Sequence, residues 1–189
     1  MRHAVRLLSL AAAVALASCS IGDGEGQIEA DEIEPVDAGG LLREFVNTAA
    51  PRRVRVELSA PVTPVMVVAS RERLGQVIDN VLSNAISFSP DAGVVSVTLG
   101  SDERHARITV DDEGPGIPEG HVDRVFDRFF SYRPGDRARE HIGLGLAIAR
   151  QIVESYGGSI AASNQDPRGS RFAIERSPLQ TGHLRRPRN

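Results

Sequence analysis

The 189-residue chain contains no lysine and no tryptophan. All 22 of its basic residues are arginine. That excludes chemistry that needs a lysine, including Schiff-base catalysis and the phosphate-binding lysine of P-loop sites. Aromatic residues make up 4% of the chain, so any core is built from aliphatic side chains. The single cysteine, Cys19, permits neither an internal disulfide nor a multi-cysteine zinc site. Charge of one sign is lacking too. With 25 acidic residues the net charge is −3, which gives no general electrostatic case for nucleic acid or an anionic membrane surface. The apolar stretch at 7–17, broken only by Ser9, is too short to span a bilayer as a helix. What remains is 41% hydrophobic and 25% charged residues, the balance of a globular chain. The length suits one ordinary domain and not two.

Four zones are expected along the chain. Residues 1–22 have a basic start (Arg2, Arg6) followed by an uncharged, largely apolar segment. Residues 23–35 read as an acidic linker; from Asp23 to Asp37 there are seven acids and no base. Residues 36–178 carry a globular pattern. Residues 179–189, with three Arg and no acid, read as a disordered tail.

Within the globular zone the periodicities alternate. Leu41, Leu42, Phe45 and Val46 predict a short helical face. Val54, Val56 and Leu58 alternate as a half-buried strand, and 65–68 reads as a second strand. Leu74, Val77, Ile78, Val81, Leu82, Ala85 and Ile86 mark one face of a long helix. After a turn at 89–93, Val95, Val97 and Leu99, then Ala106, Ile108 and Val110, predict a hairpin. A Gly/Pro loop, a short helix at 122–126 and an Arg-rich loop follow. Leu144, Leu146, Ala147, Ala149, Ile152 and Val153 predict a helix ending at Gly157 and Gly158, with closing strands at 159–162 and 170–174. The expected architecture is an α/β layer with about three helices on one face of a sheet.

Three places combine residue types that carry chemistry. Asn80 and Asn84 share one helix face, one turn apart. Asparagine is a middling helix former, so the pair suits either a carboxamide on a hard cation such as Mg²⁺ or two solvated amides. In Val110-Asp-Asp-Glu-Gly-Pro-Gly-Ile-Pro118 a strand ends in acids and turns through two glycines. A carboxylate there can accept from an exocyclic amine, while the glycines admit a ligand to the backbone; the plain reading is an acidic turn. Gly143-Leu-Gly-Leu146 opens a helix, where free N–H groups and the helix dipole favour phosphate. Arg133, Arg137 and Arg139 in the loop before it are either phosphate contacts or a solvated basic loop.

Taken together and in this order, the segments resemble the boxes of bacterial sensor histidine kinases. Residues 73–90, with Asn80, Asn84 and Phe88, resemble the N box. Asp112-Glu-Gly-Pro-Gly116-Ile117 resembles the G1 box, Phe126-Asp-Arg-Phe129-Phe130 the F box, and Gly143-Leu-Gly145-Leu-Ala-Ile-Ala the G2 box. Gly157-Gly-Ser-Ile and Gly169-Ser170-Arg-Phe172 resemble the last strands. The resemblance implies the Bergerat fold of the GHKL ATPases, a two-layer α/β sandwich shared with DNA gyrase and MutL-type enzymes. It implies ATP and Mg²⁺ as cofactors. Asn84 would ligate the metal and Asp112 would bind the adenine amine. Gly114, Gly116 and Ile117 would shape the adenine pocket, Phe88 would pack near the base and Ser170 would lie nearby. Gly143, Leu144, Gly145 and Leu146 would present backbone to the triphosphate, with Arg133 and His141 in an ATP lid at 131–142. Asn80 stands where gyrase-like ATPases place a glutamate that activates water, and an amide cannot be that base. The resemblance therefore favours phosphoryl transfer over hydrolysis.

The sequence departs from the family at Ser87, where many relatives carry Lys or Arg, and at Glu140, His141 and Ile142 before the G2 glycines. None of His3, His105, His121, His141 and His183 lies in a phosphoacceptor box. The expected function is thus the catalytic domain of a sensor histidine kinase in a two-component system. It would act on a histidine of a helical hairpin outside this chain, with a response regulator downstream and dimerisation only through that hairpin. The alternatives are an ATP-binding module without transfer and a serine kinase of the anti-sigma-factor type. Residues 1–22 read either as a remnant of the hairpin's second helix, which implies a location at the cytoplasmic side of the inner membrane or in the cytoplasm, or as a lipoprotein signal anchored at Cys19.

Overall fold

The computed structural model describes residues 32–49, 53–102, 105–130 and 143–176. The N-terminal segment with Cys19, the Arg133 and His141 candidates and the tail at 179–189 lie outside the described residues.

The chain runs β1 (Glu34–Asp37), α1 (Ala38–Ala49), β2 (Arg55–Ser59), β3 (Met66–Ala69), α2 (Arg71–Phe88), β4 (Val94–Ser101) and β5 (Ala106–Asp111). A 3₁₀ turn (Val122–Phe126), α3 (Gly145–Ser155), β6 (Ser159–Asn164) and β7 (Ser170–Arg176) complete it. Five strands form one mixed sheet in the order β2-β4-β5-β7-β6, and β1 and β3 form a separate antiparallel pair. Only β2 and β4 are parallel, with Val56 opposite Val95. A parallel pair needs a long crossover, which β3 and α2 supply. The other neighbours are antiparallel, with Val110 opposite Phe172 and Ala162 opposite Phe172 on its other side.

Strand alternation decides which face is covered. Val95, Val97 and Leu99 of β4, Ala106, Ile108 and Val110 of β5, and Phe172 and Ile174 of β7 are all buried. They meet Val77, Ile78, Val81, Leu82 and Ala85 of α2 and Ala149, Ile152 and Val153 of α3. Burying each such side chain is worth about 1.5–3 kcal/mol. Leu41 and Leu42 of α1 join the same core. The opposite sheet face is polar. Arg171 makes a bidentate pair with Asp111 across the strands (2.7 and 2.8 Å), and Arg107 pairs with its register partner Glu175.

The fold differs from the sequence expectation at its start. Residues 34 and 35, expected within the acidic linker, belong to β1, with Pro35 opposite Val68. Val36 is buried and Asp37 caps α1, accepting from Gly39 N (3.1 Å) and Val65 N (3.3 Å). A two-stranded ribbon has an open side where proline loses nothing. Among the described residues no helix is long and apolar enough to cross a membrane.

Candidate functional site

The site sits where β5 ends, beside the end of α2 and the start of β7. Asp112, the residue after β5, is 3% exposed. Its Oδ1 accepts from Gly114 N (2.8 Å) and Ser170 N (3.2 Å), and its own N–H donates to the Ser170 carbonyl (3.0 Å). Its Oδ2 is buried and has no hydrogen-bond partner. Burial pushes the carboxyl pKa above its ordinary value. The hydrogen bonds from Gly114 and from the Ser170 backbone and hydroxyl pull the other way without cancelling it. A buried polar atom without a partner is uncommon, because it carries a desolvation penalty with nothing to offset it. Among the described residues no donor meets this oxygen.

The backbone around Asp112 has no space for side chains. A Cβ at Gly114 would lie 2.8 Å from Asp112 Oδ1 and 2.9 Å from the Phe88 carbonyl oxygen. This places the end of the N-box helix against the G1 turn. At Gly169 (φ +103°) a Cβ would lie 1.9 Å from the Asp112 carbonyl oxygen. Ile117 is buried, and its peptide N–H and C=O are both taken by the Asn164 carboxamide. Glu113 accepts from Val94 N (3.1 Å) and ties the same turn to the start of β4.

The second half of the site is the junction of α2 and α3, which pack against each other. Asn80 is half-buried, and its Nδ2 is a second buried atom without a partner. A Cβ at Gly145 would lie 3.1 Å from Asn80 Oδ1, so this carboxamide lies against the first residue of α3. Among the described residues no side chain caps the N-terminus of α3, so the N–H groups of its first turn have no side-chain cap there. Leu146, half-buried, packs on the core and anchors this turn. Asn84 is half-buried one turn further along α2, and among the described residues its carboxamide makes no hydrogen bond. An amide oxygen left without a partner has the chemistry of a Mg²⁺ ligand, since that ion takes few protein ligands and completes its octahedron with phosphate oxygens and water. Among the described residues no cluster of three or more His, Cys, Asp or Glu is placed to hold a metal ion.

The F box joins the two halves. Phe126 is buried edge-on against Phe172 (centroids 6.3 Å apart), with the Arg150 guanidinium 4.5 Å from its ring centroid. Phe129 N donates to the Gly143 carbonyl (3.0 Å), so the residues flanking 131–142 meet. Gly143 has φ +72°, and a Cβ there would lie 2.6 Å from the Phe130 carbonyl oxygen.

The structure thus gathers Phe88, Asp112, Gly114, Gly116, Ile117 and Ser170 at one end, and Asn80, Gly143, Leu144, Gly145 and Leu146 at the other. Ser170 serves as the partner of Asp112. Sequence reasoning missed Asn164 and Gly169. The signal for Gly169 was its place before Ser170; Asn164 gave none, since its partner is 47 residues away.

A one-sided α/β sandwich with a buried acceptor at the G1 turn and an uncapped glycine-bounded helix start defines a nucleotide-binding domain of the GHKL class. The family model described as histidine kinase-, DNA gyrase B- and HSP90-like ATPase matches residues 69–181, and the chain belongs to this family. It is 39% identical over 133 residues to the sensor histidine kinase WalK of Bacillus subtilis, covering 67% of this chain and 20% of WalK. The solved structure of the mycobacterial sensor histidine kinase MprB superposes with a TM-score of 0.68 at 34% identity, covering 78% of this chain and 98% of that one. Full-length ShkA, solved in complex with AMPPNP, superposes with a TM-score of 0.65 at 28% identity over 76% of this chain and 30% of its own. The chain therefore spans about a fifth of the curated relative that it matches.

Proposed function

We propose that this chain binds MgATP and is the catalytic domain of a sensor histidine kinase, transferring the γ-phosphoryl group to a histidine on a helical hairpin. The observation that carries the reading is the partnerless Oδ2 of Asp112, buried beside a glycine turn that keeps side chains away from it. The adenine amine would donate to Oδ2, with Ile117 and Phe88 flanking the base. The triphosphate would take the N–H groups from Gly143 to Leu146, where the α3 dipole favours negative charge. Asn84 would ligate Mg²⁺, which would neutralise phosphate charge as the β–γ oxygen leaves. Arg133 and His141 are proposed as further phosphate contacts from the 131–142 loop. The AMPPNP bound by ShkA supports the nucleotide assignment.

In the transfer, an imidazole nitrogen would attack the γ-phosphorus, the bond to the β–γ bridging oxygen would break, ADP would leave with its new charge on that oxygen, and the other ring nitrogen would release its proton to solvent. The domain's contribution is positioning and charge neutralisation. Asn80 cannot take a proton from water, so the site favours transfer over hydrolysis. A phosphoacceptor hairpin and a response regulator complete the proposed assembly, with ATP supply placing the domain on the cytoplasmic side. Calorimetry with AMPPNP, with and without Mg²⁺, tests binding, and labelled phosphohistidine on a supplied hairpin tests transfer. No binding of AMPPNP refutes the reading. Binding without phosphohistidine on a cognate hairpin reduces it to an ATP-binding module.

A further inference from the structure

We propose that Asn164 is a positioning residue for the adenine base, a role that rests on the ATP reading above. Asn164 is the last residue of β6, and its carboxamide brackets a single peptide group pair on the G1 turn. Ile117 N donates to Asn164 Oδ1 (2.6 Å), and Asn164 Nδ2 donates to the Ile117 carbonyl (2.7 Å). Only one orientation of the amide satisfies both bonds. The demand for one donor and one acceptor at this reach excludes aspartate, which has no donor, and alanine, which has neither.

The register gives this contact its consequence. Asn164 lies opposite Ser170 in the β6–β7 ladder. Ser170 holds Asp112 through Oδ1, and Asn164 holds Ile117. One cross-strand pair therefore fixes both the acceptor for the base and the residue proposed to flank it. Between them stands Gly116, with φ +79°, where a Cβ would lie 3.0 Å from Asn164 Oδ1. Gln165 adds to the brace, with its N–H on the Gly169 carbonyl (2.9 Å) and its Nε2 on the Ser170 carbonyl (3.3 Å). The residue is exposed as a whole while its two bonds reach inward, so its loss frees the turn without opening the core. A turn free to drift from the β6–β7 end changes the distance between Oδ2 of Asp112 and the pocket wall. Oδ2 accepts from an amine and repels a carbonyl at the same place, and it discriminates between them best when the wall holds the base against it.

The test uses Asn164→Ala and the isosteric Asn164→Asp, each read in two ways. Calorimetry with AMPPNP and its guanine counterpart, with and without Mg²⁺, reads affinity and base preference. Hydrogen exchange at the Ile117 amide reads the latch itself. Asn164→Ala, which loses both hydrogen bonds, is expected to bind AMPPNP roughly tenfold more weakly at this partly exposed site, and Asn164→Asp, which keeps an acceptor for Ile117 N but sets a carboxylate against the Ile117 carbonyl, should weaken it as well. In both the preference for adenine over guanine should narrow and the factor gained from Mg²⁺ should stay unchanged, and in Asn164→Ala the Ile117 amide should exchange at least about tenfold faster. Unchanged exchange at Ile117 in Asn164→Ala overturns the latch. Faster exchange with unchanged affinity and unchanged base preference overturns the positioning role. A wild-type chain that binds no adenine nucleotide overturns the ATP reading and this role with it, and is recognised because exchange at Ile117 still reports the latch.

Discussion

Asp112→Asn should stabilise the free protein and cripple its nucleotide binding, and the two effects have one origin. Oδ1 of Asp112 accepts two backbone N–H groups, so the asparagine must keep its oxygen there and place Nδ2 where Oδ2 stood. The carboxyl pKa is raised by burial. Between the unfolded value, about 3.9, and the folded one, the native state holds a proton that the unfolded chain has released. Stability therefore falls as pH rises through that window, and the penalty is fully present above the folded pKa. Replacing a buried, half-satisfied charge by a neutral amide should return about 1 kcal/mol, or about 3 °C in Tm for a domain of this size. It should also flatten the acid-side slope of stability against pH. For binding, an acceptor has become a donor facing the adenine amine. Losing a charge-assisted hydrogen bond costs about 1.5–3 kcal/mol, roughly ten- to over a hundredfold in affinity. In the wild type the proton enters on Oδ2, the only free oxygen, so AMPPNP affinity should weaken as pH falls through the raised pKa. Thermal melts across pH and calorimetry on both proteins read all of this. An Asp112→Asn protein that binds AMPPNP at wild-type strength refutes the acceptor assignment, and one that melts below wild type at neutral pH refutes the desolvation argument.

Asn84→Ala should weaken MgATP binding while leaving metal-free nucleotide binding nearly intact, because its amide is proposed to meet the ion and not the base; equal losses in calorimetry with and without Mg²⁺ would point to helix packing instead. Gly143→Ala should lower stability by about 1–2 kcal/mol from its positive φ alone, and its Cβ would collide with the Phe130 carbonyl, so nucleotide affinity should fall with it; circular dichroism melts and titration with AMPPNP check the pair. The purified chain incubated alone with labelled ATP should form no acid-labile, alkali-stable phosphohistidine, since none of its five histidines lies in an acceptor box. Label that disappears in His3→Ala would make the N-terminal segment a working acceptor.

The elements legible in the sequence were those whose stability is local or periodic. The apolar steps from Leu74 to Ile86 read as one helix face because α2 buries one stripe against the sheet, and the alternation of β4 and β5 read as strands because only one sheet face is covered. Helix α1 was legible in its middle and not at its ends: Gly39 and Gly40 are poor helix formers, and the cap on them comes from Asp37, which the sequence showed only as the last of a run of acids. Strand β1 was missed because four residues with a proline and two acids show no alternation; it exists through pairing with β3. The site was legible wherever a box carried glycines and acids in order. Ser70 was not, although it is fully buried and caps α2 through Arg73 N while its own N–H reaches Tyr156 at the end of α3. Such contacts, like that of Asn164 with Ile117, join segments with no shared periodicity and leave no local trace.

The buried polar atoms without partners are places where the fold gives up stability, and the proposed nucleotide site accounts for two of them. Among the described residues there are three: Asn80 Nδ2, Asp112 Oδ2 and Arg150 Nε. The last has compensation, since its guanidinium stacks on Phe126 and lies 3.4 Å from the Glu154 carboxylate. For the other two atoms no compensating partner is found among the described residues. They stand at the two ends of the proposed nucleotide, Asp112 beside the G1 turn and Asn80 against Gly145 at the start of α3. Each unpaired group costs about 1–3 kcal/mol in the free domain. An apolar side chain at 80, or an asparagine at 112 that keeps the two bonds to Oδ1, would lower that cost, so folding alone does not account for them. A ligand that offers a donor at one end and acceptor oxygens at the other would satisfy both atoms at once, and binding would then recover energy the free fold gives up. By this reasoning bound MgATP should raise the melting temperature of the wild type more than that of Asp112→Asn at equal nucleotide concentration, since the variant has less to recover and binds less.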